Sequence, residues 1–154
     1  SSDVQGRFLI LMFIESIIWA ILLSIAMIAV PTSLSLSNEQ RLLQQIVLAI
    51  GAGIYEEFVF RVILIAGLAS LFGFIFKWGN FGKNLSAIIA SSIIFSLFHF
   101  LGSFGDVPSI SLFFIRTIAG IVLGFIYIFR GFGIAAYAHS IYDLFVIVRL
   151  TINA

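Results

Sequence analysis

The sequence has no cysteine and only two prolines among its 154 residues, and charged residues make up 10% of it. The absence of cysteine excludes a disulfide framework, thiolate metal ligands and a thiol nucleophile. The net charge of +1 leaves no basic surface of the kind that binds nucleic acid. Soluble domains average about 25% charged residues, so this chain has too few charges for an ordinary water-facing surface.

Hydrophobic residues take the place of the missing charge. They make up 62% of the sequence, and the mean hydropathy is +1.21, whereas soluble domains average about 45–50% apolar residues. A small globule exposes much of its chain to solvent and cannot hide so much apolar surface. The predicted solvent for most of the protein is therefore lipid.

Polar residues divide the chain into about five apolar stretches near the roughly 20 residues that a membrane-crossing helix needs. The stretches do not alternate with period two, as the strands of a membrane barrel must. We therefore predict an all-α fold, a polytopic membrane helical bundle of about five transmembrane helices in one integral membrane domain over residues 1–154. The predicted spans are residues 8–30, 42–76, 85–101, 109–129 and 132–150.

The second stretch is longer than a bilayer requires. At ~1.5 Å per residue it would measure roughly 50 Å as a straight helix. It is predicted to project into water, to tilt, or to break near Gly67 or Gly73. Ser37 or Asn38 can cap its first turn.

Several ionisable residues interrupt the apolar stretches. Each costs about 2.5–3.5 kcal/mol on insertion scales, so each requires an explanation. They are Glu15, Glu56, Glu57, Arg61, His99, Arg116, His139 and Asp143.

Two consecutive glutamates lie in the middle of the second stretch. Glu57 and Arg61 are four residues apart, share a helix face and can pair. Glu56 is turned about 100° from Glu57, so the two carboxylates cannot perform the same task. The expected division has Arg61 fixing Glu57 as a carboxylate, while Glu56 faces a cavity as a general base.

Two histidines lie in later stretches. His99 shares a helix face with Phe95, and His139 shares one with Asp143. Glu56 with His99 could bind and deprotonate a water molecule. His139 could then donate to the oxyanion of a tetrahedral intermediate while Asp143 orients it. The same groups could instead bind zinc, for which His and carboxylate are usual ligands.

Other interpretations of the buried polar groups have a physical basis. A histidine in a membrane helix can be a helix–helix hydrogen-bond partner. Buried Glu, His and Asp can also form a proton relay in a coupled transporter. Glu15, near Trp19, can bond locally, and Arg116 can extend its side chain to the interface. Gly120 and Gly124 are four residues apart, a spacing of small residues that indicates close packing of two helices.

The sequence resembles the CAAX protease and bacteriocin-processing (CPBP, or Abi) family of intramembrane proteases, which includes the type II CAAX prenyl endopeptidases. The resemblance covers roughly residues 45–150 and rests on three motifs in a fixed order, each in an apolar helix. They are Glu56-Glu57-x-x-x-Arg61, Phe95-x-x-x-His99 and His139-x-x-x-Asp143.

The resemblance implies a role for each motif residue, but it leaves open how Asp143 acts and whether the reaction needs a metal. An ionised Asp143 cannot donate to an oxyanion as the asparagine of some relatives can, so it acts through His139, is protonated or contributes less. The family has been labelled metalloprotease, but no HExxH pattern occurs, which favours a metal-free mechanism over zinc on Glu56, His99 and His139. The implied roles are water activation for Glu56 with His99, support for Glu57 with Arg61, and oxyanion binding for His139 with Asp143.

The resemblance also implies membrane lipid and a membrane-associated peptide or protein substrate as partners, with no nucleic acid. Prenylated CAAX proteins and bacteriocin leader peptides are the substrate classes of the family. A non-proteolytic binding or scaffold relative of the same fold is the alternative. The oligomeric state is not predicted. The lack of an organelle-targeting segment suits a multi-pass protein of a prokaryotic cell membrane.

Overall fold

The computed structural model describes residues 2–26, 39–101 and 105–152, with side chains over residues 6–25, 43–101 and 105–149. Every regular element in these ranges is helical, which confirms the predicted all-α class. The elements are α1 (Ser2–Ala26), α2 (Glu39–Glu57), a π-helical segment (Phe58–Ile65), α3 (Ala66–Phe76), α4 (Asn80–Phe98), α5 (Ile110–Arg130) and α6 (Phe132–Ile152).

Five helical stretches within the described residues are long and apolar enough to cross a membrane, so the chain is a multi-pass membrane protein. This confirms the predicted number of spans. The end of the first predicted span, residues 27–30, and the predicted caps Ser37 and Asn38 lie outside the described residues. The stretches are Gly6–Ile25, Leu43–Phe76, Asn80–Phe98, Ile110–Arg130 and Phe132–Arg149.

The long second stretch is helical throughout, and its irregularity is the π-helical segment. Of the three alternatives, a break near Gly67 or Gly73 is wrong, because both glycines lie inside α3. A glycine in a helix interior costs only about 1 kcal/mol relative to alanine, so it does not by itself end a helix. The π-helical segment instead precedes both glycines and follows Glu57 directly.

The third span begins five residues earlier than predicted. Lys77 adopts a left-handed conformation with φ of 56° and ends α3. Gly79 is extended, and its carbonyl oxygen accepts a hydrogen bond from the Lys83 amide at 3.1 Å, which closes the first turn of α4. The polar residues that suggested a longer connection, Asn80 and Asn84 among them, therefore lie in the helix, where an end near the membrane surface tolerates them.

The described helices form two compact units. The first contains α1, α2 up to Glu56, and α6 from Gly133; the second runs from Glu57 to Phe132. In the second unit, a Cβ at Gly120 would lie 3.0 Å from the Ser92 Cβ, and one at Gly124 would lie 2.8 Å from the Ile88 Cγ2. This confirms that the two glycines allow close packing of α5 on α4.

The first unit also depends on small residues. Ser16 and Ala20 are fully buried on α1, as are Ala135 and Ala138 on α6. Most other described side chains of α1 are exposed and apolar. Such a helix buries one narrow stripe and presents the rest to lipid, in which apolar side chains carry no penalty.

Candidate active site

A buried ion pair lies where α2 passes into the π-helical segment. Arg61 Nε is 2.9 Å from Glu57 Oε2, and the two side chains are 1% and 0% exposed, respectively. Charges removed from water to this degree require a partner and good hydrogen-bond geometry. The predicted pairing of Glu57 with Arg61 is confirmed.

Arg61 also connects the π-helical segment to α4 and α5. Its Nη2 donates to the Gly120 carbonyl oxygen of α5 at 3.4 Å. Its guanidinium lies over the Phe95 ring of α4, 4.8 Å from the centroid, where the ring quadrupole attracts a cation. The Phe95 ring meets the His99 imidazole edge to face, with centroids 4.6 Å apart. Arg61 therefore contacts both the carboxylate of Glu57 and the aromatic ring that supports His99.

His99 immediately follows the last residue of α4, and its ring is held by a backbone carbonyl. The Nδ1 atom lies 2.9 Å from the Phe95 carbonyl oxygen. Because a carbonyl oxygen only accepts, Nδ1 carries the proton in this bond, and Nε2 is then the acceptor nitrogen of the neutral ring. The predicted shared face of Phe95 and His99 is confirmed, and the fixed tautomer suits His99 to accept a proton or a hydrogen bond at Nε2.

Glu56, His139 and Asp143 come together within the first unit. His139 Nε2 lies 4.0 Å from Glu56 Oε2 and 3.7 Å from Asp143 Oδ2. The imidazole is 9% exposed, and the carboxylates are 25% and 27% exposed. Both distances exceed a direct hydrogen bond, and catalytic contacts of this length commonly shorten when substrate binds. The cluster thus combines a carboxylate that can act as a base with an imidazole that can donate.

The two consecutive glutamates have different surroundings, as the rotation between neighbouring helical residues predicts. Glu57 is fully buried beside Arg61 in the second unit. Glu56 is one-quarter exposed beside His139 in the first unit. The structure therefore supplies one enclosed carboxylate and one accessible carboxylate from adjacent positions of a single helix.

The predicted site residues divide between the units. The first unit holds Glu56, His139 and Asp143, and the second holds Glu57, Arg61 and His99. Among the described residues, no group of three or more His, Cys, Asp or Glu side chains is arranged to hold a metal ion. The zinc alternative used Glu56, His99 and His139, which belong to both units, and it stays a prediction.

Two polar residues beside the site were missed by sequence reasoning. Ser91 Oγ donates to the Phe60 carbonyl oxygen of the π-helical segment at 2.7 Å. Ser140 Oγ donates to the Ile50 carbonyl oxygen at 3.3 Å and lies against Gly53. Small residues next to the motif residues were the available signal, since they mark close helix contacts in membranes.

Two ionisable residues singled out in the sequence take local partners. The Glu15 carboxylate accepts a hydrogen bond from Trp19 Nε1 at 3.4 Å within α1. Arg116 Nη2 pairs with the Asp106 carboxylate, which lies in the connection between α4 and α5. Arg116 therefore bonds to a protein carboxylate of its own unit.

A family model provides the deciding comparison. The model described as Type II CAAX prenyl endopeptidase Rce1-like matches residues 38–145, well over half of the chain. The chain belongs to this family. The family is one of proteases, and the matched range contains every candidate site residue of the three motifs. No curated protein and no solved structure matches the chain.

The contact between Gly53 and Ser140 predicts different effects on stability for two glycine substitutions in α2. A Cβ at Gly53 would lie 2.9 Å from Ser140 Oγ and 3.3 Å from the Ser140 backbone, whereas one at Gly51 would meet nothing within 4 Å. Gly53→Ala is therefore expected to destabilise the protein by about 1–3 kcal/mol through overpacking.

Gly51→Ala is the matched control on the same helix. It should stabilise the protein by about 0.5–1 kcal/mol, because alanine loses less conformational freedom than glycine on folding. Thermal unfolding of both variants in detergent measures the difference. Equal shifts of Tm in the same direction would contradict the close contact at Gly53.

Proposed function

We propose that the protein is an intramembrane endopeptidase that uses a Glu/His-activated water to hydrolyse peptide bonds of membrane-associated substrates. The observation that carries the proposal is the cluster of Glu56, His139 and Asp143, with Nε2–oxygen distances of 4.0 and 3.7 Å, in a chain of a protease family. Ionisable groups placed in membrane helices are costly and are generally retained for function.

Glu56 and His99 are the proposed water-activating groups. Glu56 is the accessible carboxylate of the consecutive pair, and His99 has its acceptor nitrogen fixed by the bond from Nδ1 to the Phe95 carbonyl oxygen. The water oxygen attacks the substrate carbonyl carbon while Glu56 takes a water proton. That proton then passes to the amine that leaves when the C–N bond breaks. The pairing of these two residues in one step rests on the motif order of the family.

His139 and Asp143 are the proposed oxyanion group. The imidazole can donate a hydrogen bond to the negative oxygen that develops on the substrate carbonyl. Asp143 Oδ2 lies 3.7 Å from His139 Nε2, so an ionised Asp143 favours a proton on that nitrogen and can orient the ring without itself donating a hydrogen bond. Glu57 and Arg61 support the site by fixing the helix on which Glu56 lies.

A metal-free reaction is part of the proposal. The sequence lacks the HExxH pattern that places two metal-binding histidines one turn apart. Full activity in the presence of a zinc chelator is the expected result, and loss of activity that added zinc restores would contradict it.

Prenylated CAAX peptides are the proposed substrate class, since the matching family is described as a prenyl endopeptidase family. The apolar exterior of the helices suits a substrate that enters from lipid or from its surface. Leader peptides of the bacteriocin type are the alternative within the same reaction. The location in a prokaryotic cell membrane remains a prediction.

Cleavage of a fluorogenic prenylated CAAX peptide by the purified protein tests the function. The wild type should cleave it, and His99→Ala should reduce cleavage to the background rate because one activating group is lost. An unprenylated peptide of the same sequence serves as the substrate control. Equal cleavage by His99→Ala and the wild type would remove His99 from the mechanism, and no cleavage by a well-folded wild type would exclude the CAAX substrate class.

A further inference from the structure

The connection that follows His99 contains an ion pair to which the proposed reaction assigns no role. Arg116 lies two turns into α5, and its Nη2 pairs with the Asp106 carboxylate. The Arg116 side chain is 20% exposed and that of Asp106 is 50% exposed. Asp106 precedes α5, so the pair joins α5 to the connection that leaves α4.

Two further contacts connect this pair to His99. The Asp106 amide donates to the His99 carbonyl oxygen at 3.0 Å. The Arg116 guanidinium lies over the Phe100 ring, 5.6 Å from its centroid, within the range of a cation–π interaction. Asp106 thus contacts the end of α4 in two ways. Its amide bonds to the His99 carbonyl oxygen, and its carboxylate pairs with the arginine that lies over the Phe100 ring.

The path of the chain at this point is tight. A Cβ at Gly105 would lie 2.8 Å from the Phe100 carbonyl carbon and 2.9 Å from the Leu101 carbonyl oxygen. Gly105 therefore brings the Asp106 amide back to the helix end. Carbonyls in the last turn of a helix have no intrahelical partner, and the Asp106 amide satisfies that of His99.

We propose that Asp106 and Arg116 are positioning residues that set the orientation of His99 from α5. This rests on the proposed function of His99 in the cleavage reaction. The imidazole is already fixed to the Phe95 carbonyl oxygen at one side. On the other side, the Asp106–Arg116 pair fixes the backbone of His99 and the adjoining Phe100 ring. The direction in which His99 Nε2 points therefore depends on both sets of contacts.

The partners of Arg116 favour a positioning role over extension of its side chain to the membrane surface. An arginine that only reaches the interface needs no particular carboxylate. Here the guanidinium has both a carboxylate and an aromatic face, and both partners lie within seven residues of His99. Such a pair holds Asp106 and the end of α4 against α5, which a solvated side chain does not.

Kinetics of Arg116→Met and Asp106→Ala test the proposal. Each variant is expected to lower kcat about tenfold with KM unchanged, because substrate binding is retained while His99 is misaligned. The double variant should be no worse than either single variant, since both remove the same contact. Arg116→Lys, which keeps the charge, should recover most of the activity.

Lys77→Met is the matched control. Lys77 lies over the Phe74 ring at 5.1 Å, a contact of the same kind, but it precedes α4 whereas His99 follows it. This variant should leave kcat unchanged. An equal loss of kcat in Lys77→Met and Arg116→Met would overturn the proposal.

A spectroscopic measurement separates this inference from the protease function. The chain has two histidines, so ¹⁵N-histidine NMR resolves both rings, with His139→Gln used for assignment. In Arg116→Met, the His99 Nδ1 and Nε2 signals should shift or broaden, while those of His139 stay constant. Unchanged His99 signals would overturn the positioning role even if the protein cleaves peptides, and shifted signals would support it even if no substrate is cleaved.

Discussion

Glu56→Gln is expected to lower the kcat of peptide cleavage about 10²–10⁴-fold, the contribution typical of a general base. Glutamine has nearly the shape of glutamate but cannot accept the water proton. The Glu56 side chain is 25% exposed and lies 4.0 Å from His139 Nε2, so the replacement should leave Tm close to that of the wild type. Steady-state kinetics on a prenylated CAAX peptide provide the measurement.

Glu15→Gln is the control for this prediction. It makes the same chemical change in α1, where the carboxylate accepts a bond from Trp19, and it should retain activity. Wild-type rates in Glu56→Gln would exclude Glu56 as the base. Equal losses in both variants would indicate a general effect of removing a membrane carboxylate.

Arg61→Ala is expected to destabilise the folded protein by about 3–5 kcal/mol, because it removes one partner of a buried ion pair. The Glu57 carboxylate is fully buried and would lose the guanidinium 2.9 Å away. The same replacement removes the contacts of Arg61 with the Gly120 carbonyl oxygen and the Phe95 ring. Thermal and denaturant unfolding in detergent measure the loss.

A double variant separates the buried charge from lost packing. Glu57→Gln combined with Arg61→Met leaves no unpaired charge and keeps most of the side-chain volume, so it should be markedly more stable than Arg61→Ala. Arg149→Ala removes an exposed arginine of α6 and should change stability little. If the double variant is as unstable as Arg61→Ala, the ion pair is not the source of the loss.

The parts of the fold that sequence reasoning predicted depend on short-range periodicity. Apolar runs of span length gave the number of transmembrane helices, since lipid leaves few other structures available. The pairing of Glu57 with Arg61 and the contact of Phe95 with His99 followed from a spacing of four residues on a helix. These relations are fixed once the local structure is helical.

Other features depend on relations that periodicity does not contain. Asp106 and Arg116 are ten residues apart, and a non-helical connection lies between them, so no helical spacing indicates their pairing. The left-handed Lys77 makes the turn after α3 short, so α4 begins at Asn80, five residues before the predicted start of the third span. The π-helical segment also has no sequence signal in its own residues, because phenylalanine, valine and isoleucine suit an α-helix equally well in lipid.

The π-helical segment is a place where the second helical stretch can lose one residue and keep its fold. In a π-helix each backbone hydrogen bond joins residues five apart, whereas in an α-helix it joins residues four apart. A π-helical segment therefore holds one residue more than an α-helix that connects the same two flanking helices. Deleting a residue elsewhere in the long second helix would turn everything beyond it by about 100°. A deletion at residues 62–64 can instead be absorbed by conversion to an α-helix, and it leaves the spacing of Glu57 and Arg61 intact. Natural relatives that differ by one residue in this helix are therefore expected to carry the gap just after the motif arginine.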